Sequence, residues 1–126
     1  MSLLAWMLVG GLAAAVVGAL KGGRAWEFGA WAAGLALAAL VYPALAVGQD
    51  LGGTAGRELV AALPWLLAAG LAKRFGLLFL AVAWALHGVL DLFPAGRPWM
   101  PAFYPPLCAG FGLGAAIRLV RMRYGA

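Results

Sequence analysis

Charge is what this chain has least of. Asp, Glu, Lys and Arg together make up 10% of its 126 residues, against 66% hydrophobic residues, and the mean hydropathy is +0.98. So little polar surface cannot cover a soluble globule of this size, which points to an integral membrane protein of one domain. Cysteine is present once, as Cys108, so an intrachain disulfide is excluded. Histidine is also present once, as His87. HExxH, a Walker loop and GxSxG are all missing, which argues against the common protease, NTPase and hydrolase chemistries. The formal charge is +5, but the basic residues stand singly or in small groups at the ends of apolar runs. There they read as topology signals and not as a nucleic-acid footprint. The N-terminal stretch lacks the basic opening of a cleaved signal peptide and is long enough to span, so it reads as the first helix.

What the chain does have is a succession of apolar runs. Their lengths and breakers predict an all-α, polytopic bundle of five helices at about 3–20, 25–47, 57–72, 75–93 and 103–120. The first is rich in Gly and Ala, with Gly11/Ala15 and Ala14/Gly18 at the spacing that lets helix backbones approach closely. Pro43 should kink or loosen the second helix. The stretch from Gly48 to Gly56, GQDLGGTAG, is the most polar and glycine-rich and reads as a loop. The third helix is the short one. Its apolar part, Leu59 to Ala72, is only about 20 Å long against a hydrocarbon core of about 30 Å. If it crosses, Lys21, Arg24, Lys73, Arg74, Arg118, Arg121 and Arg123 share one side and only Arg57 and Arg97 lie opposite. That asymmetry favours five spans, with the N-terminus outside and the C-terminus in the cytoplasm, in a multi-pass protein of a bacterial-type inner (plasma) membrane.

The same topology gathers the polar residues at one end. Tyr42, Gln49, Asp50, Arg57, Glu58, His87, Asp91, Arg97, Tyr104 and Cys108 fall in the outer half, while the inner half holds little beyond Glu27, which Lys21 or Arg24 can neutralise. His87 and Asp91 lie at i and i+4 of one apolar run, so both side chains point into one space. Three readings compete. The polar residues could satisfy one another as structural glue between helices. They could bind a small polar ligand or ion on a conduit, with Glu58 and Asp91 attracting cations and His87 exchanging protons. Or Glu58, His87 and Asp91 could serve as one N and two O ligands to a divalent metal ion, or as acid and base, in a membrane-embedded enzyme. Trp84, three residues before His87, and Tyr104 complete the candidate ligand-binding set.

Other features have plainer explanations. Gly110 and Gly114 make a packing face for another helix or another subunit, and no strand precedes them to make a nucleotide loop. Trp26 and Trp99 read as interface anchors, the C-terminal arginines as topological or lipid-facing groups, and Cys108 as a small buried filler. The expected partners are membrane lipids, a small polar ligand or ion, and further copies in a homo-oligomer, because a bundle this small can hardly enclose a pathway alone. No nucleic acid is expected.

Residues 57–118 carry a glutamate opening one helix, Trp84-x-x-His87-x-x-x-Asp91 in the next, and a proline-rich loop leading to Tyr104-Pro105-Pro106-x-Cys108-x-Gly110. This pattern resembles small bacterial integral-membrane families catalogued as domains of unknown function. In such proteins a second histidine often follows the aspartate, where this chain reads Leu92-Phe93-Pro94-Ala95-Gly96. That departure weakens a metal assignment. The resemblance implies a polytopic fold and the importance of Glu58, His87 and Asp91, and it implies no activity.

Overall fold

A computed structural model describes residues 2–20, 23–49, 52–93, 97 and 99–125. It contains five helices, α1 (Leu3–Ala19), α2 (Arg24–Gly48), α3 (Gly52–Phe75), α4 (Leu77–Leu90) and α5 (Tyr104–Tyr124), and no strand among the described residues. Two of them, α2 and the Gly53–Phe75 part of α3, are long and apolar enough to cross a membrane; α1 and α4 are apolar but shorter.

Local chemistry accounts for most of the ends. Ser2 caps α1, its hydroxyl accepting from the Ala5 N–H at 3.2 Å. α5 opens with Pro105 and Pro106 in its first turn, where no intrahelical N–H is needed, and closes on Gly125 in the left-handed conformation. α3 turns into α4 at Gly76, whose φ of +93° only glycine adopts without strain. The turn therefore falls after Phe75, and Lys73 and Arg74 belong to the last turn of α3.

Two expectations need correcting. α3 begins at Gly52, inside the stretch expected to be a loop, and its 24 residues reach about 36 Å. Ala55 and Glu58 are buried, so tertiary packing of this first part outweighs the weak helix propensity of Gly53 and Gly56. Conversely, α4 has 14 residues, about 21 Å, because Gly76 opens it late and Asp91 ends it early. α2 and α3 each run unbroken through an internal proline, Pro43 and Pro64. Asp50, Lys21 and residues 94–96 and 98 of the proline-rich loop lie outside the described residues.

The helices alternate in direction. Trp6 meets Phe103 at one end of α1 and Gly18 meets Arg118 at the other, so α1 and α5 run parallel. Trp31 faces Trp84, and Tyr42 faces Asp91, so α2 and α4 run parallel to each other and opposite to α5, where the partners are Arg118 for Glu27 and Phe111 for Trp31. α5 is sandwiched between α1 and α4, while α3 joins α2 to α4. The core is nucleated by Trp31, Leu35, Leu80, Trp84 and Leu119, all essentially inaccessible. Trp31, Trp84 and Phe111 form a triangle of rings with centroids 5.5 to 6.1 Å apart, the spacing of edge-to-face aromatic packing.

Glycines on α5 set how near its neighbours come. A Cβ at Gly110 would strike the Met7 carbonyl of α1, and one at Gly112 would come within 2.9 Å of the Trp84 carbonyl of α4. Alternate glycines thus serve opposite faces of the helix. The small-residue faces of α1 and α5 pack on each other within the chain, so the homo-oligomer expectation no longer draws support from them.

Candidate ligand and metal site

The end of the bundle where α2, α3 and α4 converge holds a cavity of about 250 Å³. Its polar lining is Tyr42 from α2, Glu58 from α3, His87 and Asp91 at the end of α4, and Arg97, with Trp65 of α3 as an aromatic wall and alanines, Leu90 and Phe93 as the remainder. Glu58, His87 and Asp91 are all buried, at 9%, 8% and 4% exposure. Of the expected ligand-binding residues, the structure therefore brings these three to one space.

Within that space the carboxylates have different fates. Glu58 accepts a hydrogen bond from Arg97 Nε at 2.9 Å, and the Arg97 guanidinium also lies over the Tyr42 ring, 4.6 Å from its centroid. The charge of Glu58 is thereby balanced through Oε1. Asp91 stands at the C-terminal end of α4, where the helix dipole disfavours an anion. One of its oxygens, Oδ1, accepts from Tyr42 Oη at 2.6 Å. The other, Oδ2, has no aligned hydrogen-bond partner among the described residues, and neither does His87 Nδ1. These two atoms face each other at 3.4 Å, close enough for charge attraction but not aligned for a hydrogen bond. Such a buried, half-satisfied pair is costly and is the feature that distinguishes this site.

Cys108 completes the picture from α5. One ligand atom each from His87, Asp91 and Cys108 lie within 4.8 Å of one another, and all three residues are buried. This group could hold a metal ion, and it differs from the expected set: Cys108 enters, and Glu58, occupied by Arg97, is not in it. Trp84 is a core residue and not a wall of the cavity. It is 1% exposed, donates from Nε1 to the Trp31 carbonyl at 3.1 Å, and meets His87 only edge-on at 6.4 Å. Tyr104 packs against Tyr42, ring centroids 5.7 Å apart, outside the cavity lining.

Trp65, whose ring meets His87 edge-on at 5.2 Å, takes the place in the lining expected of Trp84. Its signal was available, because position 65 is two turns from Glu58 on the same helix face. At the opposite end of the bundle Glu27 is paired not with Arg24 but with Arg118, which donates to both carboxylate oxygens at 2.7 and 2.9 Å, while Lys21 lies outside the described residues. Trp31 Nε1 adds a third bond at 3.0 Å. Gln49 Nε2 donates to the Trp99 carbonyl at 3.2 Å, tying the end of α2 to the segment before α5.

No family model, curated protein or solved structure matches this chain. The resemblance of residues 57–118 to small bacterial membrane families thus rests on their motif alone.

Proposed function

We propose that this protein is a multi-pass membrane bundle that binds a small cation in the cavity between α2, α3 and α4. The observation that carries the reading is the half-satisfied Asp91–His87 pair opening onto that cavity. Two carboxylates, Glu58 and Asp91, face one guanidinium, Arg97. With His87 neutral, one negative charge is left over, and a cation would balance it in a region where unbalanced charge is expensive. A divalent metal ion is one such cation.

Burial and charge support the membrane part. The apolar windows of α2 and α3 are only 28% and 22% buried within the chain, whereas the core helix of a soluble protein hides most of its surface. α1 adds a run of exposed Leu3, Leu4, Leu8, Leu12 and Val16, far more continuous apolar surface than water tolerates. Helix alternation gathers Arg24, Lys73, Arg74, Arg118, Arg121 and Arg123 at one end and leaves Arg57 and Arg97 at the other. By the positive-inside rule the first end is cytoplasmic and the cavity opens to the outside of a plasma membrane.

The test is equilibrium binding of monovalent and divalent cations to the protein purified in detergent. Saturable binding that falls about tenfold or more in Asp91→Asn, with helicity and elution volume retained, is expected. Absence of saturable binding of any cation to the folded wild-type protein refutes the reading.

A further inference from the structure

We infer that His87 Nδ1, Asp91 Oδ2 and Cys108 Sγ form a binding site for a thiophilic divalent transition metal of the Zn²⁺/Co²⁺ class. The inference rests on the cation-binding reading and names the class of cation. Two of the three buried side-chain atoms without a hydrogen-bond partner among the described residues, His87 Nδ1 and Asp91 Oδ2, are the ones that would ligate, and both belong to side chains more than nine-tenths buried. Their separation of 3.4 Å is the ligand-to-ligand distance of a tetrahedral shell, since ligands about 2.1 Å from the metal stand about 3.4 Å apart. The Cys108 sulfur lies within 4.8 Å of one ligand atom of His87 and one of Asp91, so a shift of about 1 Å brings it to the same shell.

Charge and chemistry point the same way. Cys108 would bind as the thiolate, releasing its proton to solvent as the metal–sulfur bond forms. A dication, a thiolate, a carboxylate and a neutral imidazole then sum to zero charge, the state a poorly hydrated interior favours. Sulfur selects against Mg²⁺ and Ca²⁺, which take oxygen shells of about six or more, and one carboxylate with one imidazole could not supply such a shell. Tyr42 donates to Asp91 Oδ1, which fixes the carboxylate with Oδ2 turned to the metal, as outer partners of ligands commonly do. The fourth position would face the cavity and take water or a substrate atom. Glu58 has no place in the shell because Arg97 already holds it.

The experiment is a Co²⁺ titration of the full chain in detergent micelles, kept reduced with a thiol-free phosphine. About one equivalent should bind, with a thiolate-to-Co²⁺ charge-transfer band and the intense d–d bands of tetrahedral coordination. Cys108→Ser should abolish the charge-transfer band and weaken Co²⁺ about tenfold or more, while Tyr42→Phe should keep the band and weaken affinity about tenfold. The wild-type spectrum alone is decisive, so a variant that misfolds does not blunt the test. Co²⁺ bound without the charge-transfer band, or a different cation bound and Co²⁺ refused, overturns the thiolate site and leaves the cation-binding reading standing. Failure to bind any cation overturns both.

Discussion

Replacing Tyr42 by Phe removes one oxygen and leaves the ring, so it isolates the hydrogen bond to Asp91. That bond is short, 2.6 Å, and its acceptor is a carboxylate 4% exposed whose second oxygen is already unpartnered. Hydrogen bonds to charged groups contribute about 1.5–3 kcal/mol, whereas side-chain bonds between membrane helices average about 0.6 and reach about 1.7. The charge on Asp91 puts this bond at the upper end of the membrane range, about 1.5 kcal/mol. The assay is reversible unfolding in mixed micelles of the wild type, Tyr42→Phe, Asp91→Ala and the double variant. A coupling energy of about 1–2 kcal/mol is expected from the cycle, and Tyr104→Phe, whose hydroxyl does not reach Asp91, should show no comparable coupling. Coupling within about 0.3 kcal/mol of zero would refute the placement of Tyr42 against Asp91, since distant, independent sites add to that precision.

Three further outcomes follow from the packing. Gly110→Ala should destabilise the protein by about 1–3 kcal/mol through overpacking against Met7, whereas Gly29→Ala, which meets open space, should be neutral or slightly stabilising; unfolding curves for the two decide it. Arg118→Ala leaves Glu27 with Trp31 alone and should cost about 1–2 kcal/mol, a value set below that of a fully buried pair because the Arg118 side chain is 36% exposed. Adding Glu27→Gln to that variant should recover part of the loss, and a double variant less stable than Arg118→Ala counts against the pairing. Gly76→Ala forces an L-residue to a φ of +93° and should cost about 1–2 kcal/mol, read from the same unfolding curves.

Much of this arrangement is legible before any coordinates, and the exceptions share a cause. Periodicity and length place α1, α2 and α5 within a few residues, because long apolar runs bounded by Gly, Pro and basic residues leave few alternatives. The i, i+4 spacing of His87 and Asp91 and strict helix alternation are enough to bring Glu58 and Tyr42 to the same end. What stays hidden depends on which neighbour a side chain meets. Nothing near Glu27 in the chain announces that its partner is Arg118, 91 residues away. Cys108, as a lone cysteine on an apolar face, reads as filler until the antiparallel packing of α4 on α5 puts it beside His87 and Asp91. The early start of α3 is hidden for the same reason, since packing of Ala55 and Glu58 overrides glycine propensity.

Glu27 and Asp91 make an internal comparison that bears on whether the cavity is structural glue or a site. Both are buried carboxylates in the same small bundle, 8% and 4% exposed. Glu27 is closed off: Arg118 holds both its oxygens, Trp31 adds another bond, and a positive charge cancels its own. A carboxylate whose only task is to join helices takes that form, because each unmet lone pair in a dry interior costs stability. Asp91 has a neutral phenol on one oxygen, an unaligned imidazole nitrogen before the other and the Cys108 thiol nearby, and Arg97, the one cationic group lining the cavity among the described residues, is committed to Glu58. It sits, moreover, at the helix end where the dipole opposes it. The chain carries the means to satisfy a buried acid and uses them at the far end, so the incomplete satisfaction of Asp91 is better explained by a place kept for a cation than by structural need.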